Sequence, residues 1–297
     1  MARSTIISSM KNECPYILEF LAHYITIGFE QTLIVSNDNS DDSIFLLSRL
    51  KSIGAVDYLE HSVPDNGVPQ KIAFKLARAW LDSNAYGHYV YVADADEFLI
   101  LHEDASITEY IGRFGTTPAI SFNWKFFGSD GHRTRPRGLV MESYQRRAAN
   151  KLREHRTLKS MFRFDDELEG FSAHFPHHKR LDEIYYQYAD GTPYRADLTQ
   201  VKPHQNWSEV HFDLACINHY GIKSYEEFVG KRLRGRGAMS AAKDLPRHTD
   251  AYFNKFDKRS VHDPVSRDHI ERVRAKMDDL FVAADLGAHF DRSYLGL

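Results

Sequence analysis

Short apolar runs and amphipathic stretches alternate with regular spacing over the first hundred residues. Residues 5–10 read as a strand, and the polar loop 11–14 leads to Pro15, which suits the first turn of a helix. Ile17, Leu18, Leu21 and Ile25 form a helical stripe, and Gly28 is placed to end it. Residues 31–36 read as a second strand, followed by the polar loop 37–42 and a helix over 43–53 with Ile44, Leu47 and Leu50 inward. Residues 56–59 give a third strand. After a Pro/Gly loop, Gln70 opens a helix with the stripe Ile72, Ala73, Leu76, Ala77 and Trp80. Its opposite face carries Lys71, Lys75 and Arg78, which suits a solvated basic face better than a phosphate site. Strand and helix thus repeat three times before a fourth strand. That order predicts a parallel, right-handed α/β sheet with its ligand beyond the carboxyl ends of the strands.

The fourth strand is the stretch the chain is organised around. Residues 89–99 form an apolar, β-branched and aromatic run that meets three acids in four residues, Asp94, Asp96 and Glu97. Ionised carboxylates are costly to desolvate, so these acids are expected at the strand's mouth, facing water or a cation. Two convergent aspartates suit a hard divalent ion with positions left for a diphosphate; an acidic turn capping a helix is the structural alternative. The loops 11–13, 37–42 and 94–97 would meet in one cleft, which says more than any one motif. No Gly-rich phosphate loop follows the first strand and no Gly-Lys-Ser/Thr motif is present, which argues against dinucleotide dehydrogenases and P-loop enzymes.

The second half is less regular. Residues 118–124 and 158–164 read as strands, the latter with Lys159 near its start, and 126–132 as a Gly-containing turn. Residues 165–212 give mixed signals and hold His174, His177, His178, His204 and His211 among the sixteen histidines of the chain, so none of these stands out. His219 does: residues 214–220 read as a strand, and Ser224-x-x-Glu227 has capping-box spacing. His219 and Lys223 sit at that strand-to-helix transition, as a candidate metal ligand and a candidate diphosphate contact, or as a structural histidine and a surface lysine. Lys231, Arg232, Arg234 and Arg236 form a basic run, either a solvated helix end or an anion-facing lid. Asp263-Pro264 is expected to start a last helix burying Ile270, Val273, Met277 and Leu280.

Composition adds limits. With 297 residues, 42% hydrophobic and 27% charged, the chain is of ordinary globular type and long enough for a large core. A net charge of −3 gives no reason to expect nucleic-acid binding. Two cysteines provide no disulfide framework, and no apolar run reaches membrane-spanning length or forms a signal region. The cytoplasm is the expected location, with peripheral contact to the inner face of the membrane left open.

The stretch 11–20, Lys-Asn-Glu-Cys-Pro-Tyr-Ile-Leu-Glu-Phe, together with Gly28-Phe29, the loop 37–42 and the 94–98 segment, resembles the GT-A type of nucleotide-sugar glycosyltransferase, in particular its family-2-like and family-92-like members. The likeness extends more loosely to residues 127–129, 218–220 and 223–224, and hardly at all to the C-terminal part. It implies a GT-A fold, a mostly parallel central sheet flanked by helices with a helical C-terminal extension. A catalytic domain would span 1–235, with a nucleotide-binding half at 1–100 and an acceptor half at 101–235, followed by the extension at 236–297. It further implies that Asp38 holds the base or ribose, that Asn12 and Glu13 line the nucleotide pocket, and that Gln70, Lys159 and Lys223 complete the donor contacts. Asp94 and Asp96 would be the Asp-x-Asp pair carrying Mn²⁺ or Mg²⁺, with His219 as a third ligand. The implied activity is metal-dependent, inverting transfer from a nucleotide sugar, a UDP-sugar first, to a saccharide or glycolipid hydroxyl. Glu142 is preferred over Asp130 as the general base, because related sequences often carry a small residue where Asp130 stands. A sugar-phosphate nucleotidyltransferase, which would show a Gly- and Arg-rich first loop, and an inactive sugar- or nucleotide-binding module are the alternatives. A phosphatase with an aspartyl nucleophile fits poorly, since Glu97-Phe98 follows Asp96.

Overall fold

Four parallel strands form one half of a ten-stranded sheet. The computed structural model describes residues 2–179, 184–195, 210–235, 237–240 and 248–297; His204 and Arg236 lie outside them. In chain order the elements are β1 (Ser4–Met10), α1 (Cys14–Thr26), β2 (Gln31–Asn37), α2 (Ser43–Ser52), β3 (Asp57–His61), α3 (Pro69–Asn84), β4 (Tyr89–Val92), β5 (Glu97–Leu101), α4 (Ile107–Gly112), β6 (Ala119–Phe126) and α5 (Val140–Ser143). Then follow β7 (Arg146–Arg147), β8 (Leu158–Arg163), β9 (Leu168–Phe171), β10 (Pro176–His178), β11 (Tyr185–Tyr188), β12 (Pro193–Arg195), β13 (Ala215–His219), α6 (Tyr225–Arg234), α7 (Asp250–Phe256), β14 (Val261–His262) and α8 (Arg267–Ala283).

The sheet order is β12-β11-β6-β8-β4-β1-β2-β3, with β13 beside β6 and β5 beside β13. Strands β5, β8 and β12 run against the others, so the sheet is mixed but mostly parallel. Alternation sorts its side chains into two layers. Ile6, Ile34 and Tyr91 face α1, α2 and α8, whereas Ile7, Leu33, Val35, Val90 and Val92 face the Ala73, Ala77 and Leu81 stripe of α3. Burial on both faces is why the strands read as unbroken apolar runs. Helix α8 buries Ile270, Val273 and Met277 in the same core as Ile17, Leu18 and Leu21 of α1, so the C-terminal helix, expected in a separate extension, shares the core of residues 1–100.

Two expectations need correction. The strand expected to end in Asp94 stops sooner: β4 ends at Val92, Glu97 N–H donates to Asp94 O at 3.0 Å to close a turn, and β5 leaves to pair antiparallel with β13. The last helix starts at Arg267, not at Pro264. Ser266 is its cap, its hydroxyl accepting from His269 N–H, while Asp263 is held by Arg147 and by Lys125 at 3.1 Å. The capping box at Ser224 and Glu227 is present as read, and Gly28 follows α1 with a φ of 93°, a left-handed conformation that favours glycine.

Candidate functional site

The register of the parallel strands puts the ends of β1, β2 and β4 on one edge: Ile7 lies opposite Val92 and Met10 opposite Ser36. Strand β13 also ends there, with His219 paired to Phe126 on one side and Glu97 on the other. An open cleft of about 850 Å³ lies along this edge, lined by Glu13, Asp38, Gln70, Asp94, Asp96, His219, Lys231 and Arg234 among others.

The three acids of the β4–β5 turn take different environments. Asp94 is about one-third exposed, and its Oδ2 accepts from Lys159 at 2.9 Å. Glu97 does not face water as expected, and the cation it meets is an ammonium inside the protein. It is fully buried, 2.5 Å from the Lys159 ammonium, and its carboxylate also accepts from Asp94 N–H at 2.9 Å. Lys159 itself is fully buried. It is therefore a pillar beneath the turn, not the donor contact expected of it. Burial works against its ammonium, but Asp94 and Glu97 outweigh that and hold its pKa above the ordinary lysine value. Burial pushes the Glu97 carboxyl up to about 8, with Lys159 opposing and Asp94 and Asp96 adding to the rise.

Asp96 is nearly buried between two partners. Its Oδ2 accepts from Lys231, and its Oδ1 stands 3.6 Å from His219 Nε2, too far for a direct hydrogen bond. Burial alone would raise the Asp96 carboxyl; Lys231 and His219 more than offset it and hold it well below the usual carboxylate range. Burial lowers the His219 imidazole against the pull of Asp96, which favours the neutral ring. That ring is packed between Trp124, 4.3 Å away, and Phe126, 4.6 Å away, and its Nδ1 is buried without a hydrogen-bond partner. Gly221 backs it closely: a Cβ there would stand 3.0 Å from Nε2.

The rest of the expected set divides. Glu13 lines the cleft and pairs with Arg234, whose guanidinium also donates to the carbonyls of Lys11 at 3.1 Å and Asn12 at 3.0 Å. Asp38, with φ 43°, is exposed on the cleft wall and accepts from Asn37 Nδ2 at 3.0 Å. Gln70 lines the cleft as well. Asn12 is not a lining residue. It clasps two loops, donating from its backbone N–H to Asn39 Oδ1 and accepting Ser40 N–H at its own Oδ1. Lys223 is not a lining residue: it is buried, with its Nζ 4.0 Å from the centre of the Tyr16 ring, though Glu13 and Asp96 are among the charges acting on it. Glu142 lies outside the cleft and pairs with Arg274 at 2.6 Å. Asp130 accepts from Gln145 N–H at 2.7 Å and is also structural. Glu19, the second acid of the N-terminal signature, is buried and accepts from Val140 and Met141 N–H, at the start of α5. The carboxylates lining the cleft, among the described residues, are thus Glu13, Asp38, Asp65, Asp94 and Asp96.

Two groups were hidden in the sequence. Lys231 and Arg234 were legible only as a basic run, although their three-residue spacing puts both on one helix face. Trp124 had no signal beyond strand propensity; in the fold, its ring, Phe126 and Tyr252 form an aromatic wall beside His219.

Among the described residues, no three His, Cys, Asp or Glu side chains form a preformed metal cage. Asp96 and His219 nonetheless fit a divalent cation as a ligand pair, with a carboxylate oxygen facing a neutral imidazole that has no direct hydrogen bond to it. Mg²⁺-type sites commonly use one or two carboxylates and complete the shell from water and phosphate.

The chain matches no protein-family model and no curated protein. Among solved structures it is similar to S. aureus TarS 1-349, with 13% identity, a TM-score of 0.39, and coverage of 95% of this chain and 72% of that one. It is also similar to TarS 1-349 in complex with UDP-GlcNAc, with 16% identity, a TM-score of 0.33 and coverage of 45% and 37%. A putative glucose-1-phosphate thymidylyltransferase from Bacillus anthracis gives 10% identity, a TM-score of 0.31 and coverage of 47% and 63%. In these last two the match spans less than two thirds of the other chain. Likenesses this distant say nothing about activity.

Proposed function

We propose that the protein is a GT-A type glycosyltransferase that uses a nucleoside-diphosphate sugar, a UDP-sugar first, and transfers the sugar with inversion to a saccharide or glycolipid hydroxyl. The observation that carries this reading is the convergence of the Asp94/Asp96 turn, Asp38, His219 and the α6 cations in one cleft at the carboxyl ends of parallel strands. Asp38 would hold the base or ribose, and Gln70, which also lines the cleft, would add a donor contact. Asp96 and His219, with the exposed side of Asp94, would hold Mn²⁺ or Mg²⁺, which when bound would stabilise charge on the leaving diphosphate. Lys231 and Arg234 add fixed positive charge along the same wall. The aromatic wall of Trp124, Phe126 and Tyr252 suits the apolar face of a sugar.

The direct test is calorimetry of UDP and UDP-sugars with and without Mn²⁺. Metal-dependent binding is expected, with stability rising as the logarithm of ligand concentration over its dissociation constant. Absence of binding by every nucleoside diphosphate with metal present would refute the reading.

A further inference from the structure

The two aspartates of the turn are neutralised by lysines of different kinds. Asp94 has Lys159, fully buried and also tied to Glu97 and to Val92 O at 3.4 Å. Asp96 has Lys231, which lines the open cleft, keeps about a quarter of its side chain exposed, and also donates to Gly221 O at 3.0 Å. A nearly buried carboxylate cannot be left to water, so an empty site needs that ammonium. Lys231 nevertheless donates to Asp96 Oδ2 while Oδ1 meets His219, so an ammonium and a divalent ion would repel each other across one carboxylate. Arg234, on the same helix face, cannot make way in the same manner, because Glu13 and two backbone carbonyls hold it.

We propose that Lys231 is an exchangeable counter-ion: it occupies Asp96 in the free protein, competes there with the divalent cation, and moves to the diphosphate when the donor arrives. Metal and nucleoside diphosphate then bind as a coupled pair, each tightening the other by the same factor. This inference rests on the donor-site reading above. It adds to that reading an order of events at Asp96: the metal binds weakly to the free protein because the site is already neutralised, and the diphosphate relieves the competition by giving the ammonium a new partner.

The experiment titrates Mn²⁺ into the intact chain without nucleotide, following the free-ion electron paramagnetic resonance signal, for wild type, Lys231→Met and Lys231→Arg. Lys231→Met keeps the apolar stem and is expected to bind Mn²⁺ about tenfold more tightly than wild type, within the usual range of coupling factors. Lys231→Arg retains the cation and should stay near wild type. A second titration with UDP, corrected for Mn²⁺–UDP association in solution, should show UDP tightening Mn²⁺ less in Lys231→Met than in wild type. Equal or weaker Mn²⁺ binding by Lys231→Met, or no Mn²⁺ binding by either protein, overturns the inference. Should Lys231→Met fail to fold, the wild-type titration still decides: Mn²⁺ affinity unchanged by bound UDP overturns it too. A wild type that binds no nucleoside diphosphate sinks the donor reading instead, and the nucleotide-free comparison still judges Lys231 by itself.

Discussion

Lys159→Met removes the pillar beneath the acidic turn while nearly preserving its volume. It deletes the ammonium that contacts Asp94 Oδ2 and Glu97 Oε2, and leaves Glu97 fully buried with Asp94 N–H as a remaining donor. Removing one partner of a buried pair costs about 3–5 kcal/mol when the other charge stays ionised. Glu97 has an escape, since burial already lifts its pKa to about 8, and it can take up a proton at neutral pH. The sign follows from proton counts. With a folded pKa raised above the unfolded value, the group's contribution is fully present below the unfolded pKa and is lost as pH rises through the folded one. In wild type that loss ends near pH 8. In Lys159→Met the lysine no longer restrains the rise, so the loss continues to higher pH. Because protonation relieves part of that cost, the mutant is expected to be about 2 kcal/mol less stable at pH 7, with the gap wider by about 1 kcal/mol at pH 9. Urea unfolding with an unchanged slope measures both. A loss below about 1 kcal/mol, or a gap that narrows as pH rises, would refute the assignment of Lys159 as the counter-ion of Glu97.

Two further outcomes are expected. Asp96→Asn keeps an acceptor for Lys231 and the backbone turn, so its melting temperature should stay within about 5 °C of wild type while Mn²⁺-dependent UDP binding is lost; unfolding of the variant would make Asp96 a structural acid. His23 and His269 form a buried pair, with Nδ1 to Nε2 at 2.9 Å and His23 Nε2 donating to Leu99 O. Burial pulls His269 down to about 4 and His23 well below the usual range, so the unfolded chain binds more protons and stability falls as pH drops below about 6.5. His269 alone should cost about 2 kcal/mol between pH 7 and 5, read by urea unfolding at both values, and His269→Gln should flatten that slope.

The sequence by itself determined the sheet half that borders the cleft, because local pattern and tertiary role agree there. Residues such as Ile6, Leu33 and Val90 are apolar on both faces of a covered sheet, and the polar loops at 11–13, 37–42 and 94–97 fall where parallel strands end. That Asp94 and Asp96 lie at this edge was legible for the same reason, since they follow an apolar run in the strand–helix order; the position of His219 was read from its own apolar run and the capping box that follows. What only the tertiary structure decided is which charge meets which. Lys159 and Glu97 lie 62 positions apart and pair because β8 inserts antiparallel between β4 and β6. Lys231 reaches Asp96 and Arg234 reaches Glu13 across more than a hundred residues of chain, while Lys223 packs its ammonium over the Tyr16 ring. Periodicity reports which face of an element is apolar. Which charged neighbour a polar face meets depends on distant chain crossings, and spacing along the sequence carries no trace of them.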